Sequence, residues 1–240
     1  MSSSRNSGIK TVAALAVIVC ALAGEVWAAS VSEDVHREAQ RILANAKITQ
    51  YSHRTDVDDK AGRYLVDCSG FVSVVLKQVA PAHLKAVPHK KTRSRPLAYE
   101  FYEAFVNATW TNGWTRVVRL EDARPGDCIA WRKAHWEPGE NTGHIIIVDE
   151  IPVREADGRW RVVVLDSTGT PHAEDSRKEG ASGIGRGTMW FVTDEIGKPI
   201  GLNWRDPTRK PRTPVPIAVG RAVPIRLKSQ QVKVRKELSP

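Results

Sequence analysis

Cysteine is scarce in this chain: its 240 residues include three, Cys20, Cys68 and Cys128. No second cysteine pair exists and the seven histidines lack ligand spacing, so no metal cluster is legible and no cofactor is expected. Long apolar runs are scarce too. The one candidate, "TVAALAVIVCALAG" at 11–24, is shorter than the ~18–20 residues a spanning helix needs, and no later segment could cross a membrane. There is no internal repeat, no nucleic-acid motif and no strand–helix–strand alternation. The compositional mark of disorder is also missing, since 41% of the residues are hydrophobic and 26% charged, enough to build a core. Acidic residues are in deficit, with 27 against 36 basic ones, which leaves a formal net charge of +9.

The apolar run follows Arg5 and Lys10 and precedes "VWAAS", where Val26 and Ala28 stand at the −3 and −1 positions of a small-residue cleavage site. Residues 1–28 therefore read as a secretory signal peptide, cleaved after Ala28 or Ala29. An uncleaved anchor is the rival reading. The mature chain is expected outside the cytoplasm, periplasmic or extracellular and associated with the cell envelope, as a monomer without stable membrane insertion. Cleavage removes Cys20. In an oxidising compartment the two remaining cysteines invite a Cys68–Cys128 disulfide.

Residues 30–225 read as one domain, and 226–240 as a basic, disordered tail. "SVSEDVHREAQRILANAK" at 30–47 has helical spacing, with Val35, Ala39, Ile42 and Ala46 on one face and Ser30 with Glu33 as a capping box. The polar stretch 49–64 reads as loop. A second helix starts at Cys68. Residues 81–96, with three prolines and five Lys or Arg, read as a surface loop, and 96–109 as a third helix with Pro96 at its start. The second half reads as strands: "TRVVRL", "CIAWRK", "HIIIVDEIPV" and "RWRVVVLDST" as a hairpin around "READG", another pair around Gly197, and "VPIAVGRAVPI". Helices first and strands after predict an α+β fold with a mostly antiparallel sheet. The basic clusters at 83–96 and beyond Arg226 fit either solvated loops or an anionic envelope polymer; nucleic acid is not an expected partner.

"LVDCSGFVSVVL" at 65–76 sets Cys68 between an aspartate and a Ser-Gly step. With Asp67 as N-cap, Cys68 opens the helix and shares one face with Val72, Val75 and Val79. The unpaired N–H groups of a first turn and the helix dipole favour a thiolate there, and Ser69 and Gly70 leave the sulfur open to close approach. A thiolate needs a base and an orienting group. Six histidines (His36, His53, His83, His89, His135 and His172) fall on polar faces or loops. His144 instead opens the apolar run "GHIIIV", where a polar residue is costly unless paired. Asp166 ends the strand "VVVLDST", and if the two strands pair it can lie beside His144. A structural histidine and a turn-capping aspartate are the competing readings.

"DCSGFV" at 67–72, "RPGDCIAW" at 124–131 and "TGHIIIV" at 142–148, in this order, resemble the three blocks of the NlpC-type cysteine peptidases, exported papain-like enzymes of the bacterial cell wall. The resemblance covers roughly residues 45–170. It implies a sheet of about five to six strands with the cysteine helix packed on it. It also implies a Cys–His–polar triad that hydrolyses peptidoglycan stem-peptide amides, with Cys68 as nucleophile, His144 as base and Asp166 as third residue. Peptidoglycan or its fragments would then be the partner, with Tyr51 on the substrate side. The family's paired glycines after that tyrosine are missing, and the long segment after Asp166 is unlike its commoner members. An amidase or transacylase on the same core, or a non-catalytic envelope-binding module, are the alternatives.

Among other residues, His172 and Arg177, with Asp175, are candidates to line the substrate cleft, Arg177 by pairing with a stem-peptide carboxylate. Cys128 reads as a small apolar filler and Asp127 as a turn residue. Gly180, Gly183, Gly185 and Gly187 read as a flap or tight turns. Trp110, Trp114 and Trp136 are candidates for stacking on sugar rings or for plain packing.

Overall fold

The computed structural model describes residues 30–109, 111–137 and 140–225. The signal-peptide and tail readings, and Trp110, lie outside the described residues. Helix α1 (Val31–Asn45) starts as its sequence predicts: the Ser30 hydroxyl accepts the Glu33 N–H at 3.2 Å, and the Glu33 carboxylate accepts the Ser30 N–H at 2.8 Å. Its inner face buries Val35, Ala39 and Ile42. Helix α2 (Cys68–Val79) buries Phe71, Val72, Val75 and Leu76 completely; each such side chain contributes about 1.5–3 kcal/mol. Helix α3 (Pro81–Lys85) is one short turn, and α4 (Ala98–Val106) begins two residues after Pro96, with the Glu100 carboxylate accepting the Leu97 N–H at 2.8 Å.

Two expectations for this half are corrected. The 49–64 stretch is not plain loop: β1 (Ile48–Gln50), β2 (Asp56–Asp58) and β3 (Arg63–Leu65) form a small sheet in the order β1-β3-β2. Strands of three residues are too short to show a period, and Tyr64, fully buried, is their anchor in the core. Nor is 81–96 wholly a surface loop. His83 is buried and its Nε2 donates to the Val223 carbonyl at 2.8 Å, while its own carbonyl accepts the Trp114 indole N–H at 3.2 Å. Trp114 therefore packs, rather than offering a face to sugar.

The main sheet contains β4 (Trp114–Val117), β5 (Cys128–Arg132), β6 (Gly143–Val148), β7 (Val153–Arg154), β8 (Trp160–Thr168), β9 (Gly183–Thr193), β10 (Pro199–Asn203) and β11 (Ile217–Ala222). Its order is β10-β9-β8-β6-β5-β11-β4, with β7 paired to β8, and every pairing in it is antiparallel. The fold is α+β and mostly antiparallel. The sheet has eight strands, not five to six, because the β9–β10 hairpin widens one side, β4 closes the other, and the two-residue β7 joins β8. The apolar run of β6 is buried on both faces: Ile145 and Ile147 meet the helices, while Ile146 and Val148 join a second cluster built from the sheet and its loops. Val215 donates its N–H to the Ile200 carbonyl at 2.8 Å, so the β10 edge curls round to the segment leading into β11. No described helix is long and apolar enough to cross a membrane.

Candidate active site

Asp67 caps α2: its Oδ1 accepts the Gly70 N–H at 2.7 Å and the Ser69 hydroxyl at 3.1 Å. Arg95, from the basic segment before α4, donates to Asp67 Oδ2 at 2.8 Å and to the Ser69 hydroxyl at 2.6 Å. That arginine is therefore part of the scaffold under Cys68, a role the sequence did not disclose. On the other side, the Ser167 hydroxyl of β8 donates to the Val66 carbonyl at 2.6 Å. The first turn of α2 is thus pinned from two directions, with Cys68 only 4% exposed and not disulfide-bonded. Cys128, also free, is packed in the core with its thiol pKa pushed up by burial and by the charge of Asp127. Asp127 itself is structural: it accepts from the Ser32 hydroxyl, the Arg221 guanidinium and the Arg124 N–H.

Gly143 sets the entry to β6. Its φ is +149°, and a Cβ there would stand 2.0 Å from the Trp131 carbonyl oxygen. The next residue, His144, pairs across the sheet with Trp131, and β6 runs antiparallel to β8. As the sequence pattern suggested, this brings His144 beside Asp166: Nε2 lies 2.7 Å from Asp166 Oδ2. With Nε2 engaged, Nδ1 is the nitrogen left for Cys68. Burial alone would depress the His144 pKa from its ordinary 6.5, but the negative charge of Cys68 and the hydrogen bond to Asp166 together push it up to about 10. The arrangement favours the imidazolium form of His144.

Asp166 has no exposed surface and three partners. Besides His144, Oδ2 accepts from His172 Nε2 at 2.9 Å, and Oδ1 accepts from Arg177 Nη2 at 3.1 Å. Burial pulls its pKa upward; the charge of His172, then the hydrogen bonds from both histidines, override this and hold it well below the usual carboxylate range. This corrects the expectation that His172 and Arg177 line the substrate cleft. Their side chains are 0% and 3% exposed, and Arg177 is further bound to Asp175 and to the Gly183 carbonyl at 2.7 Å. They fix the carboxylate that fixes His144.

The reason lies in β9. Gly183, Gly185 and Gly187 are not a flap but alternate positions of a strand, opposite Thr168, Asp166 and Val164 of β8. A Cβ on Gly185 would come within 2.4 Å of Arg177 Nε, and one on Gly187 within 2.7 Å of the His172 Cβ and an Asp175 carboxylate oxygen. The glycines leave a trough in which the 169–182 loop lies against the sheet. That loop pairs with the edge of β9 beyond β10, Thr188 donating to the Ala173 carbonyl at 2.8 Å and Ser176 to the Arg186 carbonyl at 2.7 Å.

A cavity of about 420 Å³ opens at His144 and Tyr51 and is walled by Trp131 and Trp204. Burial, then the charges of Cys68 and Asp67, push the Tyr51 pKa upward, so the phenol stays neutral and able to donate. Trp204 was not foreseen. It follows β10 in sequence, yet its ring centroid lies 4.8 Å from that of His144 and 4.4 Å from that of His172, and its carbonyl accepts from His172 Nδ1 at 3.2 Å. Trp136 stands in a second cavity of about 430 Å³ on the Asp67 side, with its ring 5.0 Å from that of Tyr99. Among the described residues no group of three or more His, Cys, Asp and Glu side chains is arranged to hold a metal ion.

No family model matches the chain. No solved structure matches it. An uncharacterized protein of Acanthamoeba polyphaga mimivirus is 31% identical over 179 residues, which cover 65% of this chain and 77% of the viral one. The chain belongs to the same family as that viral protein.

Proposed function

We propose that this member of the mimivirus protein's family is an exported cysteine hydrolase with a papain-like, NlpC-type core, which cleaves stem-peptide amide bonds of peptidoglycan through Cys68, His144 and Asp166. The observation that carries the reading is a free, buried thiol that opens α2 behind the Asp67 cap, together with an imidazole on β6 held from behind by a buried carboxylate at 2.7 Å. Buried ionic groups are costly and are kept where chemistry uses them. The three-donor cage around Asp166 makes the orientation of His144 independent of substrate.

In the reaction, the Cys68 thiolate attacks the scissile carbonyl carbon and forms a C–S bond. The carbonyl π electrons move to oxygen, and the oxyanion accepts from the Cys68 N–H, which has no intrahelical partner in the first turn of α2. The tetrahedral adduct collapses as His144 Nδ1 delivers its proton to the leaving nitrogen, and the C–N bond breaks. The same nitrogen then takes a proton from water, whose hydroxide attacks the thioester. The acid leaves and Cys68 is released. Asp166 stays ionised throughout and holds the imidazole in register. The neutral phenol of Tyr51 lines the substrate side. An amidase or transacylase on this core would share every step up to the acyl-enzyme and differ in the acceptor.

The test is digestion of purified peptidoglycan and its fragments with product masses as readout. The expected result is release of stem-peptide fragments by the native protein and none by Cys68→Ala, whose thermal melting stays nearly unchanged. Full activity in Cys68→Ala would refute the mechanism. Activity only on non-peptidoglycan amides or esters would keep the mechanism and reject the substrate.

A further inference from the structure

The cavity at His144 has a one-signed lining. Its charged residues are Lys133 and Arg212, both exposed, and no aspartate or glutamate faces it. Among the described residues neither cation forms an ion pair. Their backbones are nevertheless fixed: the Lys133 N–H donates to the Thr142 carbonyl at 3.0 Å, and Arg212 exchanges two hydrogen bonds with Leu202, at 2.9 and 3.1 Å. The positive character continues past Trp204. A neighbouring cavity of about 720 Å³ shares Trp204 and Arg212 and adds Lys210, together with Arg205, which pairs with Glu179, and Arg209, which pairs with Asp206. The cavity on the Asp67 side differs. There Arg95 is paired with Asp67, Arg93 with Glu100, and Glu137 and Glu140 offset Lys90. Among the described residues, the His144 end of the cleft therefore carries the cations without an ion pair, Lys133, Arg212 and Lys210, and the Asp67 end is balanced.

We propose that Lys133 and Arg212 form a carboxylate-recognising subsite beside His144, so that Cys68 acts on acidic peptides whose carboxylate flanks the scissile bond. The proposal rests on Cys68 being a nucleophile. The indoles of Trp131 and Trp204 wall the site with low-dielectric surface, which strengthens the pull of two unpaired cations on an anion held between them. An exposed cation pair of this kind also steers acidic substrates toward the thiol in a salt-dependent way.

The test uses matched N-alkylmaleimides that carry either a carboxylate or a carboxamide at the end of the same spacer, in several spacer lengths. Each adds to Cys68 in one balanced step: the S–C bond forms, the ring C=C π bond breaks, and the His144 imidazolium supplies the proton to the adjacent carbon. Labelling of the full chain is followed at Cys68 by peptide mass mapping. At low salt the carboxylate reagent is expected to react about threefold faster or more than its neutral twin, the size expected of two exposed charge contacts. The ratio falls in high salt and in the Lys133→Met/Arg212→Met double variant toward that of the same two reagents on a free cysteine derivative, and drops further in Lys133→Glu; because it is taken within each variant, the ratio cancels any change in the thiol's own reactivity. Fast labelling with an equal ratio in native and variant proteins overturns the subsite and leaves the thiolate standing. Labelling by both reagents no faster than that of a free cysteine derivative overturns the nucleophile, and the subsite with it.

Discussion

Replacing Asp166 with asparagine tests the centre of the site, because one fully buried carboxylate is bonded to three side chains that can carry positive charge. The amide keeps one acceptor oxygen and turns an NH₂ group toward donors. At least one charge-assisted bond is lost, worth about 1.5–3 kcal/mol, and the remaining histidine contacts lose their ionic partner. Arg177 retains Asp175, so the full penalty for an orphaned buried charge does not apply. The expected destabilisation is about 3 kcal/mol, a fall in melting midpoint of roughly 6–12 °C for a domain of this size. Hydrolysis should fall about 100-fold or more, the usual worth of a positioned general acid–base. The pH profile should also move. Asp166 is one of the groups that push His144 up to about 10, so without it the imidazolium is lost at lower pH and the alkaline limb of the activity profile shifts acidward. Wild-type turnover with an unmoved alkaline limb in Asp166→Asn would refute the assignment of Asp166 as the group that orients His144.

Three further expectations follow from the same geometry. Gly185→Ala places a methyl 2.4 Å from Arg177 Nε and should cost about 1–3 kcal/mol of stability, lowering turnover while leaving KM for small substrates nearly unchanged, because the cleft itself is untouched; unchanged turnover would show that the Arg177 cage is dispensable. Cys128→Ala should cost about 1–2 kcal/mol and leave activity intact, and thiol reagents should label Cys68 well before Cys128 in the folded protein, by mass mapping. Stability should be greatest in mildly acidic solution: the raised pKa of His144 contributes fully below its ordinary 6.5 and is lost as pH climbs through about 10, while the depressed pKa of Asp166 contributes fully above its ordinary 3.8 and is lost as pH falls through the lower folded value. Melting curves across pH check this, and a midpoint that rises steadily from neutral to alkaline pH would contradict it.

What could be read from the sequence was local. The Ser30/Glu33 box, the Asp67 cap and the cysteine that opens α2 each depend on residues within four positions, and all three are found in the fold. The β6–β8 pairing was legible for a different reason. Two apolar strands each carried one polar residue out of place, and pairing them satisfied both. The errors occurred where spacing carries no long-range information. Three-residue strands at 48–65 are too short for a period, and alternate glycines on β9 look like turn residues until the loop that fills the space they leave is seen.

His172, Arg177 and Trp204 show how far such limits extend. The loop position of His172 and Arg177 suggested exposure and hence substrate contact, but a charged side chain on a loop is free to reach substrate only if no buried opposite charge claims it first. Asp166 is such a charge. Fully buried, it has to gather donors from the protein, and the long 169–182 segment supplies two of them by packing over Gly185 and Gly187 of β9. Insertion of that loop therefore follows from the burial of the Asp166 carboxylate. Lys133 and Arg212 have no ion-pair partner among the described residues, and both line the cavity at His144. A residue's role here is set by which charge lies buried near it, a fact that the fold decides and that neither the chemical type of the side chain nor its place along the chain discloses.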